Sequence, residues 1–372
     1  MASRSTRRRR VVKALQATSA VLAVLAVVAA GLAGLVIRQN TYDLREEAVT
    51  VHRGERALDG VLATPPTGEG PFPLVVLVHG DGPVDATHDT FYRPLWEAFA
   101  RAGYASLSWN KPGVDGSPGD WLDQSMDDRA AEAADAIAWA RTRPDVDGDR
   151  IGLWGASQAG WVLPGIVARD PGVRFVIAVS PAVDWRRQGR YNLLAELRRD
   201  GASEAEVAAA LRRRETVLEL LERGAPYEEY VRAVEDPRGM TERRWRFVSR
   251  NHTADATPAL PALRGLPVLL VLAGHDVNVD VTETEAVYRR LLPAPGLRVA
   301  HYPDATHALV RHAVERSSLR LTLTAVCAPR ALFAEGFLAD QREFLASLRR
   351  ERHPGAGGRG PGFHGGANGA VS

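Results

Sequence analysis

Apolar runs and helical repeats divide the chain into segments of recognisable type. Residues 74–78 are hydrophobic at every position, which is typical of a parallel strand buried on both faces. Downstream, short apolar runs alternate with amphipathic stretches, which predicts a mostly parallel, doubly wound sheet of the α/β class. The expected strands are 74–78, 104–109, 151–154, 173–179, 266–273 and 297–302, and the expected helices are 91–102, 125–143, 158–169, 281–292 and 335–349.

Two segments depart from this alternation. Residues 49–63 contain two short apolar runs around Gly54 and Gly60, which predicts an antiparallel pair of strands at the edge of the sheet. Residues 186–250 are rich in arginine and glutamate and carry apolar side chains at helical spacing. We expect them to form a helical cap inserted over the carboxyl edge of the sheet, the alternative being a solvated excursion without function.

The N-terminal segment has the composition of a membrane helix. Residues 14–37 contain no charge over 24 positions, and at about 1.5 Å per residue such a helix crosses a hydrocarbon layer of about 30 Å. Six basic residues lie in 1–13, so the positive-inside rule keeps that segment in the cytoplasm and the rest of the chain outside. The alternative is a cleaved signal peptide, with weak cleavage sites between Ala29 and Gly34.

Charge and cysteine content narrow the function classes. The formal net charge is +2, and removing the six basic charges of 1–13 leaves −4, so nothing in the body of the chain supports nucleic-acid binding. The single cysteine, Cys327, excludes an intramolecular disulfide and a cysteine metal cluster, and we expect it to be a small apolar filler. Residues 354–372 are rich in glycine and are expected to be disordered.

The strongest chemical signal follows the strand at 151–154. The sequence Gly-Ala-Ser-Gln-Ala-Gly at 155–160 leads from a strand into a helix through a serine between small residues. This pattern is typical of a nucleophile elbow, a strained turn that would expose the Ser157 hydroxyl at the end of the strand. The usual pattern has glycine where this chain has Ala159, and the alternative is a serine that only shapes a turn.

A second signal, His-Gly-Asp-Gly at 79–82, follows the strand at 74–78. Acyl transfer places negative charge on the substrate carbonyl oxygen, and fixed backbone N–H groups stabilise that charge. After a nucleophile elbow at Ser157, the expected donors are the backbone N–H groups of Gln158 and Asp81. His79 is then expected to brace the loop rather than to act as a base, and a plain turn is the alternative.

A third signal is an acid followed by a histidine, each placed just after an expected strand. Asp276 follows the strand at 266–273, and His307 follows the strand at 297–302. A serine hydroxyl needs a base to take its proton, and the imidazole base needs an acid to fix its tautomer. The chain order Ser157, Asp276, His307 is the one that the α/β-hydrolase fold requires.

Other residues compete for the acid and base roles. Asp184 follows the strand at 173–179 and Asp280 stands near Asp276, so either could serve as the acid. We favour Asp276 because sequential strands are usually neighbours in such sheets, and we expect it to accept a hydrogen bond from His307. Asp280 is placed to cap the following helix. His301 falls inside an expected strand, so His307 is the preferred base.

From about residue 45 to 350 the chain resembles bacterial serine esterases of the α/β-hydrolase superfamily, near the dienelactone hydrolase and serine aminopeptidase groupings. The resemblance rests on Val-His-Gly-Asp-Gly-Pro at 78–83, Asn-Lys-Pro-Gly-Val-Asp-Gly-Ser at 110–117 and Gly-His-Asp-Val-Asn-Val at 274–279. Asn110 stands where the family usually has aspartate. The resemblance implies an α/β-hydrolase domain over 44–350 with acyl-hydrolase activity, and it carries over Ser157, Asp276 and His307 as the triad.

Three functions follow as hypotheses. The first is a membrane-anchored, externally facing esterase that cleaves small-molecule carboxylic esters through an acyl-enzyme. The second is an aminopeptidase or dipeptidyl-peptidase, which would need carboxylates such as Glu228 and Glu229 to hold the substrate ammonium group. The third, a non-catalytic binding protein, is disfavoured because serine, acid and base are all present. Because the sequence contains no His-Glu-x-x-His motif and no cysteine cluster, we expect the enzyme to use no catalytic metal and no cofactor.

Overall fold

The centre of the molecule is a twisted sheet, seen in a computed structural model that describes residues 2–53, 56–234 and 239–350. The strands follow the order β1-β2-β4-β3-β5-β6-β7-β8 across the sheet, and β2 runs antiparallel to both of its neighbours while all other pairs are parallel. Their bounds are β1 (Arg45–Arg53), β2 (Arg56–Thr64), β3 (Phe72–Val78), β4 (Ala105–Trp109), β5 (Val146–Ala156), β6 (Val176–Val179), β7 (Val268–His275) and β8 (Leu297–Thr306).

Helices cover both faces of the sheet and its carboxyl edge. Short 3₁₀ turns lie at Trp121–Asp123, Ser157–Trp161, Leu260–Leu263 and Pro329–Leu332. The helices are α1 (Ala2–Gln39), α2 (Arg93–Arg101), α3 (Met126–Ala140), α4 (Leu163–Arg169), α5 (Trp185–Arg199), α6 (Glu204–Glu222), α7 (Tyr227–Ala233), α8 (Glu242–Asn251), α9 (Val281–Leu291), α10 (His312–Glu315), α11 (Ser318–Cys327) and α12 (Phe337–Arg350).

The core lies in two layers because the central strands are apolar on both faces. Every residue of β3 after Phe72 is buried, as its unbroken apolar run predicts. Side chains of one face pack against α3, α4 and the cap, and those of the other face pack against α2 and α12. The two layers hold the sheet rigid, so the loops at its carboxyl edge have fixed positions.

The α/β architecture predicted from the apolar pattern is confirmed, including the antiparallel pair β1–β2 at the edge of the sheet. Helices α5 to α8 lie between β6 and β7, where the sequence predicts a cap. Helices α10 and α11 were not predicted. The prediction of Cys327 as an apolar filler is wrong, because this cysteine at the end of α11 is exposed. The predicted disorder at 354–372 lies outside the described residues.

Helix α1 includes a segment that is long and apolar enough to cross a membrane. The stretch Leu22–Gln39 has a mean hydropathy of 2.0, and none of it is buried against the rest of the protein. A signal sequence near the N-terminus has the same properties. The structure therefore places an exposed apolar helix where the sequence predicts a membrane anchor or a signal peptide.

Candidate active site

Ser157 lies in a sharp turn between β5 and the following 3₁₀ turn. Its φ of +56° is in the left-handed region, which a non-glycine residue adopts only where its surroundings impose it. A Cβ at Gly155 would come within 2.8 Å of the Ala159 Cβ, so the turn has room for a methyl group at one of these positions but not at both. This explains how the turn accommodates Ala159 in place of the usual glycine.

Gly160 permits the turn to pack against the loop after β6. A Cβ at this position would lie 2.3 Å from the Ala182 carbonyl oxygen and 2.7 Å from the Ala182 nitrogen, both of them backbone atoms. The Ala182 N–H in turn donates to the Ser157 carbonyl at 3.0 Å. The loop after β6 therefore packs directly against the serine turn, and this close approach requires glycine at position 160.

Asp276 and His307 meet at the carboxyl ends of the neighbouring strands β7 and β8. The His307 Nδ1 donates to Asp276 Oδ2 at 2.8 Å, as predicted from the adjacency of the two strands. The other carboxylate oxygen, Oδ1, accepts the backbone N–H groups of Asn278 and Val279, each at 2.8 Å. In a neutral imidazole that donates its Nδ1 proton to the carboxylate, the Nε2 atom carries the lone pair.

The competing residues have other partners. Asp184 caps α5 by accepting the Arg187 N–H, and Asp280 caps α9 by accepting the N–H groups of Thr282 and Glu283. His301 contacts Glu285 on the surface, with 2.9 Å between Nε2 and the carboxylate. Of the three candidate acids, Asp276 is therefore the one that contacts His307.

The loop after β3 approaches Ser157 and is held from behind by two buried basic side chains, Lys111 and Arg129. A Cβ at Gly80 would lie 3.5 Å from the Ser157 Cβ, so the absence of a side chain lets the loop pass close to the serine. Lys111 donates to the carbonyl oxygens of Gly80 and Gly82 at 2.6 and 2.8 Å. The Gly80 carbonyl shares its peptide unit with the Asp81 N–H, so Lys111 both orients and polarises that N–H group.

Arg129 is the second basic side chain and joins this loop to the serine turn. It donates to the His79 carbonyl and to the Gln158 side-chain oxygen, each at 2.5 Å. The Gln158 amide then donates to Asp81 Oδ1 at 3.1 Å. The Gln158 backbone N–H lies in the first turn of a 3₁₀ segment, where backbone donors have no partner within the helix.

Burial lowers the pKa values of three groups behind the loop. It lowers the pKa of Lys111 well below its ordinary value, and it also lowers the pKa of Arg129. Burial and the Lys111 charge lower the pKa of His79 to about 3. His79 is therefore neutral at physiological pH: its Nε2 donates to the Trp109 carbonyl and its Nδ1 accepts from the Tyr92 hydroxyl, which suits a bracing role.

Two chambers meet at Ser157. The apolar chamber, of about 270 Å³, also contains His307 and is walled mainly by Phe91, Leu95, Trp154, Val179, Phe333 and Phe337. The cap chamber, of about 230 Å³, lies under the cap helices and is lined by more polar groups, among them Gln188, Asn192, Arg244 and Asn251. Ser157 and His307 thus face one cavity, although the described contacts include no hydrogen bond between them; such bonds often tighten only with substrate bound.

An ion pair between Arg244 and Asp81 lines the cap chamber. Arg244 of α8 binds both oxygens of Asp81, at 2.5 and 3.1 Å, and its guanidinium lies over the Phe247 ring. Burial by itself would raise the pKa of Asp81, but the hydrogen bond and charge of Arg244 outweigh it and hold this pKa below its ordinary value. The Asp81 carboxylate is therefore bound to the cap through Arg244.

Comparison with known proteins gives one family assignment. The family model of the X-Pro dipeptidyl-peptidases (S15 family) matches residues 40–307, which is more than half of the chain. The chain belongs to the S15 family. A curated relative, the thiohydrolase aneE of Aspergillus aculeatus, is 23% identical over 261 residues, which cover 64% of this chain and 80% of that protein.

Solved structures show the fold that this S15-family chain shares. An esterase of Pyrococcus furiosus aligns with a TM-score of 0.53 at 15% identity, covering 82% of this chain and 91% of that one. The α/β hydrolase GrgF of Penicillium sp. sh18 aligns with a TM-score of 0.52 at 20% identity, covering 82% and 99%. The chain is therefore a hydrolase of the α/β-hydrolase fold, and the family and the serine turn make it a serine hydrolase.

In this S15-family chain, helix α5 holds the loop 276–278, a role that sequence reasoning did not find. Tyr191 donates to the Asp276 carbonyl at 2.8 Å, Asn192 donates to the Val277 carbonyl at 3.1 Å, and Gln188 donates to the Asn278 carbonyl at 2.8 Å. Three polar side chains on one face of a cap helix are the only sequence signal, and their target is invisible without the fold. Arg129 was missed as well, although it interrupts the apolar face of α3.

Proposed function

We propose that this S15-family hydrolase cleaves carboxylic esters through an acyl-enzyme formed on Ser157. The observation that carries the proposal is the hydrogen bond from His307 to the buried Asp276, at the same cavity as the strained serine. That bond leaves the imidazole with a basic Nε2 atom, which is what a serine nucleophile needs. The roles of Ser157, His307 and Asp276 are nucleophile, base and acid.

Acylation begins when His307 Nε2 takes the proton of the Ser157 hydroxyl. The serine oxygen attacks the carbonyl carbon of the ester, and the carbonyl electron pair moves to the oxygen, which accepts hydrogen bonds from the N–H groups of Asp81 and Gln158. The buried carboxylate of Asp276 stabilises the imidazolium. As the carbonyl re-forms, the bond to the leaving oxygen breaks and that oxygen takes the proton from His307.

Deacylation repeats these steps with water. His307 takes a proton from a water molecule, whose oxygen attacks the acyl carbon and forms a second oxyanion at the same two N–H groups. Collapse of this intermediate breaks the bond to Ser157, whose oxygen recovers the proton from His307. The acid is released and the enzyme returns to its starting state.

The carboxylates around Ser157 favour an ester over the N-terminal dipeptide that the family name suggests. An exopeptidase must pair the free ammonium group of its substrate with acidic side chains. Among the described residues that line either chamber, Asp81 is the one carboxylate, and Arg244 already binds it. Glu228 and Glu229 lie on α7 and line neither chamber, and Glu229 pairs with Arg223.

The two chambers suit a substrate with one apolar half and one polar half. One half is apolar and fills the chamber walled by Phe91, Phe333 and Phe337, while the polar half lies beneath the cap near Arg244. The thiohydrolase relative suggests thioesters as a further substrate type, and the proposed steps are the same with sulfur as the leaving atom.

A substrate panel separates ester cleavage from peptide cleavage. The full-length protein is tested against p-nitrophenyl esters of increasing acyl length, acyl thioesters, and aminoacyl and X-Pro p-nitroanilides, with Ser157→Ala as the control for background hydrolysis. We expect turnover of the esters to exceed that of the anilides. If X-Pro anilides are the better substrates and the esters are hydrolysed no faster than by Ser157→Ala, the ester proposal is wrong and the peptidase alternative replaces it.

We further propose that residues 14–37 remain in the membrane as an anchor, with 1–13 in the cytoplasm and the catalytic domain outside. The exposed apolar stretch of α1 and the six basic residues before it support this orientation. Alkaline carbonate extraction of membranes and sequencing of the mature N-terminus test it. An N-terminus found between Ala29 and Asn40 would mean that a signal peptide is cleaved and the protein is released.

A further inference from the structure

Helix α11 presents an apolar face to its surroundings. Leu319, Leu323 and Val326 are 68%, 53% and 54% exposed, and their spacing of four and three residues places them on one side of the helix. Arg320 is the one charged residue among the ten residues of this helix. An exposed cluster of large apolar side chains is unusual on a soluble protein and marks a surface that contacts something else.

The position of α11 is fixed beside the end of α1. Asn40 donates its side-chain N–H to the Val326 carbonyl at 2.8 Å. Just after α11, Arg330 donates to the carbonyl oxygens of Gln39 and Thr41, at 2.5 and 2.9 Å, and pairs with the buried Glu97 at 2.6 Å. The point at which the apolar stretch of α1 ends is therefore clamped to the C-terminal end of α11.

We infer that the apolar face of α11 lies in the lipid headgroup boundary of the membrane that α1 crosses, which rests on the anchor proposed above. A helix of ten residues is about 15 Å long, too short to cross a bilayer but suited to lie at its surface. Because α11 contacts α1 where α1 leaves the hydrocarbon layer, its exposed face is at the depth of that boundary.

The charges around α11 favour a lipid surface as the occupant. Three exposed arginines lie in this segment: Arg320 on α11, Arg316 two residues before it, and Arg311 at the start of α10. Glu315 is the one acid in residues 311–330. Apolar side chains next to arginines are the composition of helices that bind the surface of membranes with anionic lipids. A second protein copy would place these arginines against the same arginines, which is unfavourable.

Helix α11 is connected along the chain to one wall of the apolar chamber. From α11 the chain runs through the turn Pro329–Leu332 to Phe333, which walls the apolar chamber. Membrane contact at α11 would therefore hold one wall of the apolar chamber at a fixed height above the lipid.

The single cysteine allows a direct test with the full-length protein. Cys327 is exposed at the end of α11 and lies four residues after Leu323, on the same side of the helix. It is labelled with an environment-sensitive fluorophore, and the protein is reconstituted into phosphatidylcholine vesicles containing phosphatidylglycerol. A Cys327→Ser, Ala209→Cys variant carries the label on the exposed side of α6 as a matched control.

We expect a label at position 327 to be blue-shifted and quenched by lipids that carry a nitroxide on the acyl chain, and a label at position 209 to show neither effect. Combining Leu319→Ser, Leu323→Ser and Val326→Ser should abolish the quenching at 327 while leaving hydrolysis of a water-soluble ester in detergent unchanged. Because these side chains are exposed, their replacement should not unfold the protein.

The outcomes separate this inference from the anchor. If carbonate fails to extract the protein and the label at 327 is still in water, α1 is an anchor but α11 does not contact lipid, and the inference is wrong. If carbonate extracts the protein, both the anchor and the inference that rests on it are wrong. Quenching that survives the triple substitution also overturns the assignment to these three side chains.

Discussion

Replacing Asp276 with asparagine should trap His307 in the wrong tautomer. In the native site Asp276 Oδ1 accepts two backbone N–H groups and Oδ2 accepts the His307 Nδ1 proton. The asparagine side chain has one oxygen and one NH₂ group. With the NH₂ group toward the two backbone donors, both would be left unsatisfied in a buried site, at a cost of about 1–3 kcal/mol each. The oxygen should therefore stay with the backbone and the NH₂ group should face His307.

An NH₂ group facing Nδ1 forces the imidazole to carry its proton on Nε2, where it cannot accept the proton of Ser157. We expect kcat to fall by about 10⁴-fold, which corresponds to about 5.5 kcal/mol of transition-state stabilisation. The change is isosteric and keeps both backbone hydrogen bonds, so thermal unfolding should shift by no more than a few degrees. The assay is steady-state hydrolysis of a p-nitrophenyl ester.

Asp280→Asn provides the matched control, because Asp280 stands four residues away and caps α9 without contacting His307. We expect its kcat to stay within about threefold of wild type, since asparagine is also a good helix cap. If Asp276→Asn retained more than a tenth of wild-type turnover while folded, Asp276 would not be the acid of this site.

Three other changes test separate parts of the structure. Lys111→Met removes the amino group that donates to the Gly80 and Gly82 carbonyls, and we expect kcat to fall by about 10- to 100-fold with a smaller change in KM; an unchanged kcat would show that Lys111 does not position the Asp81 N–H group. His79 has its pKa lowered to about 3 in the folded state, so the unfolded chain binds a proton below pH 6.5 that the native state excludes, and stability falls as the pH drops. Between pH 7.5 and 5 the free energy of unfolding of the wild type should therefore fall by about 2 kcal/mol through His79. Measured by urea unfolding, the fall in His79→Asn should be smaller by that amount, and equal falls in the two proteins would refute the lowered pKa of His79. Gly160→Ala places a Cβ 2.3 Å from the Ala182 carbonyl oxygen, so we expect destabilisation of about 1–3 kcal/mol or more, whereas Gly189→Ala, on α5 with open space around it, should be tolerated.

The sequence contains most of what positions Ser157, Asp276 and His307, because each of these residues follows an apolar run. The runs of β5, β7 and β8 could be read as strands. Because β7 and β8 were expected to be neighbours, Asp276 rather than Asp184 was predicted to contact His307, as the structure shows. Local pattern and topology were sufficient because the carboxyl ends of parallel strands meet at one edge.

The supporting contacts could not be read in the same way. Lys111, Arg129 and the polar face of α5 act on backbone carbonyls that lie far away along the chain, and no local pattern marks a carbonyl as a target. Helix α11 was missed for a different reason. Its sequence is mostly apolar, with Arg320 as its one charged residue, and such a sequence suggests burial in the protein core. Only the position of α11 beside α1 gives the exposed apolar face another surface to contact.

The most direct test of the proposed function is the covalent capture of Ser157. The full-length protein is treated with a fluorophosphonate probe, and the modified residue is located by mass spectrometry of its peptides, alongside Ser157→Ala and Asp276→Asn. We expect one adduct per chain, on Ser157, formed quickly in the wild type, much more slowly in Asp276→Asn and not at all in Ser157→Ala. A folded wild-type protein that fails to react, or an adduct on any other residue, would contradict the assignment of Ser157 as the nucleophile.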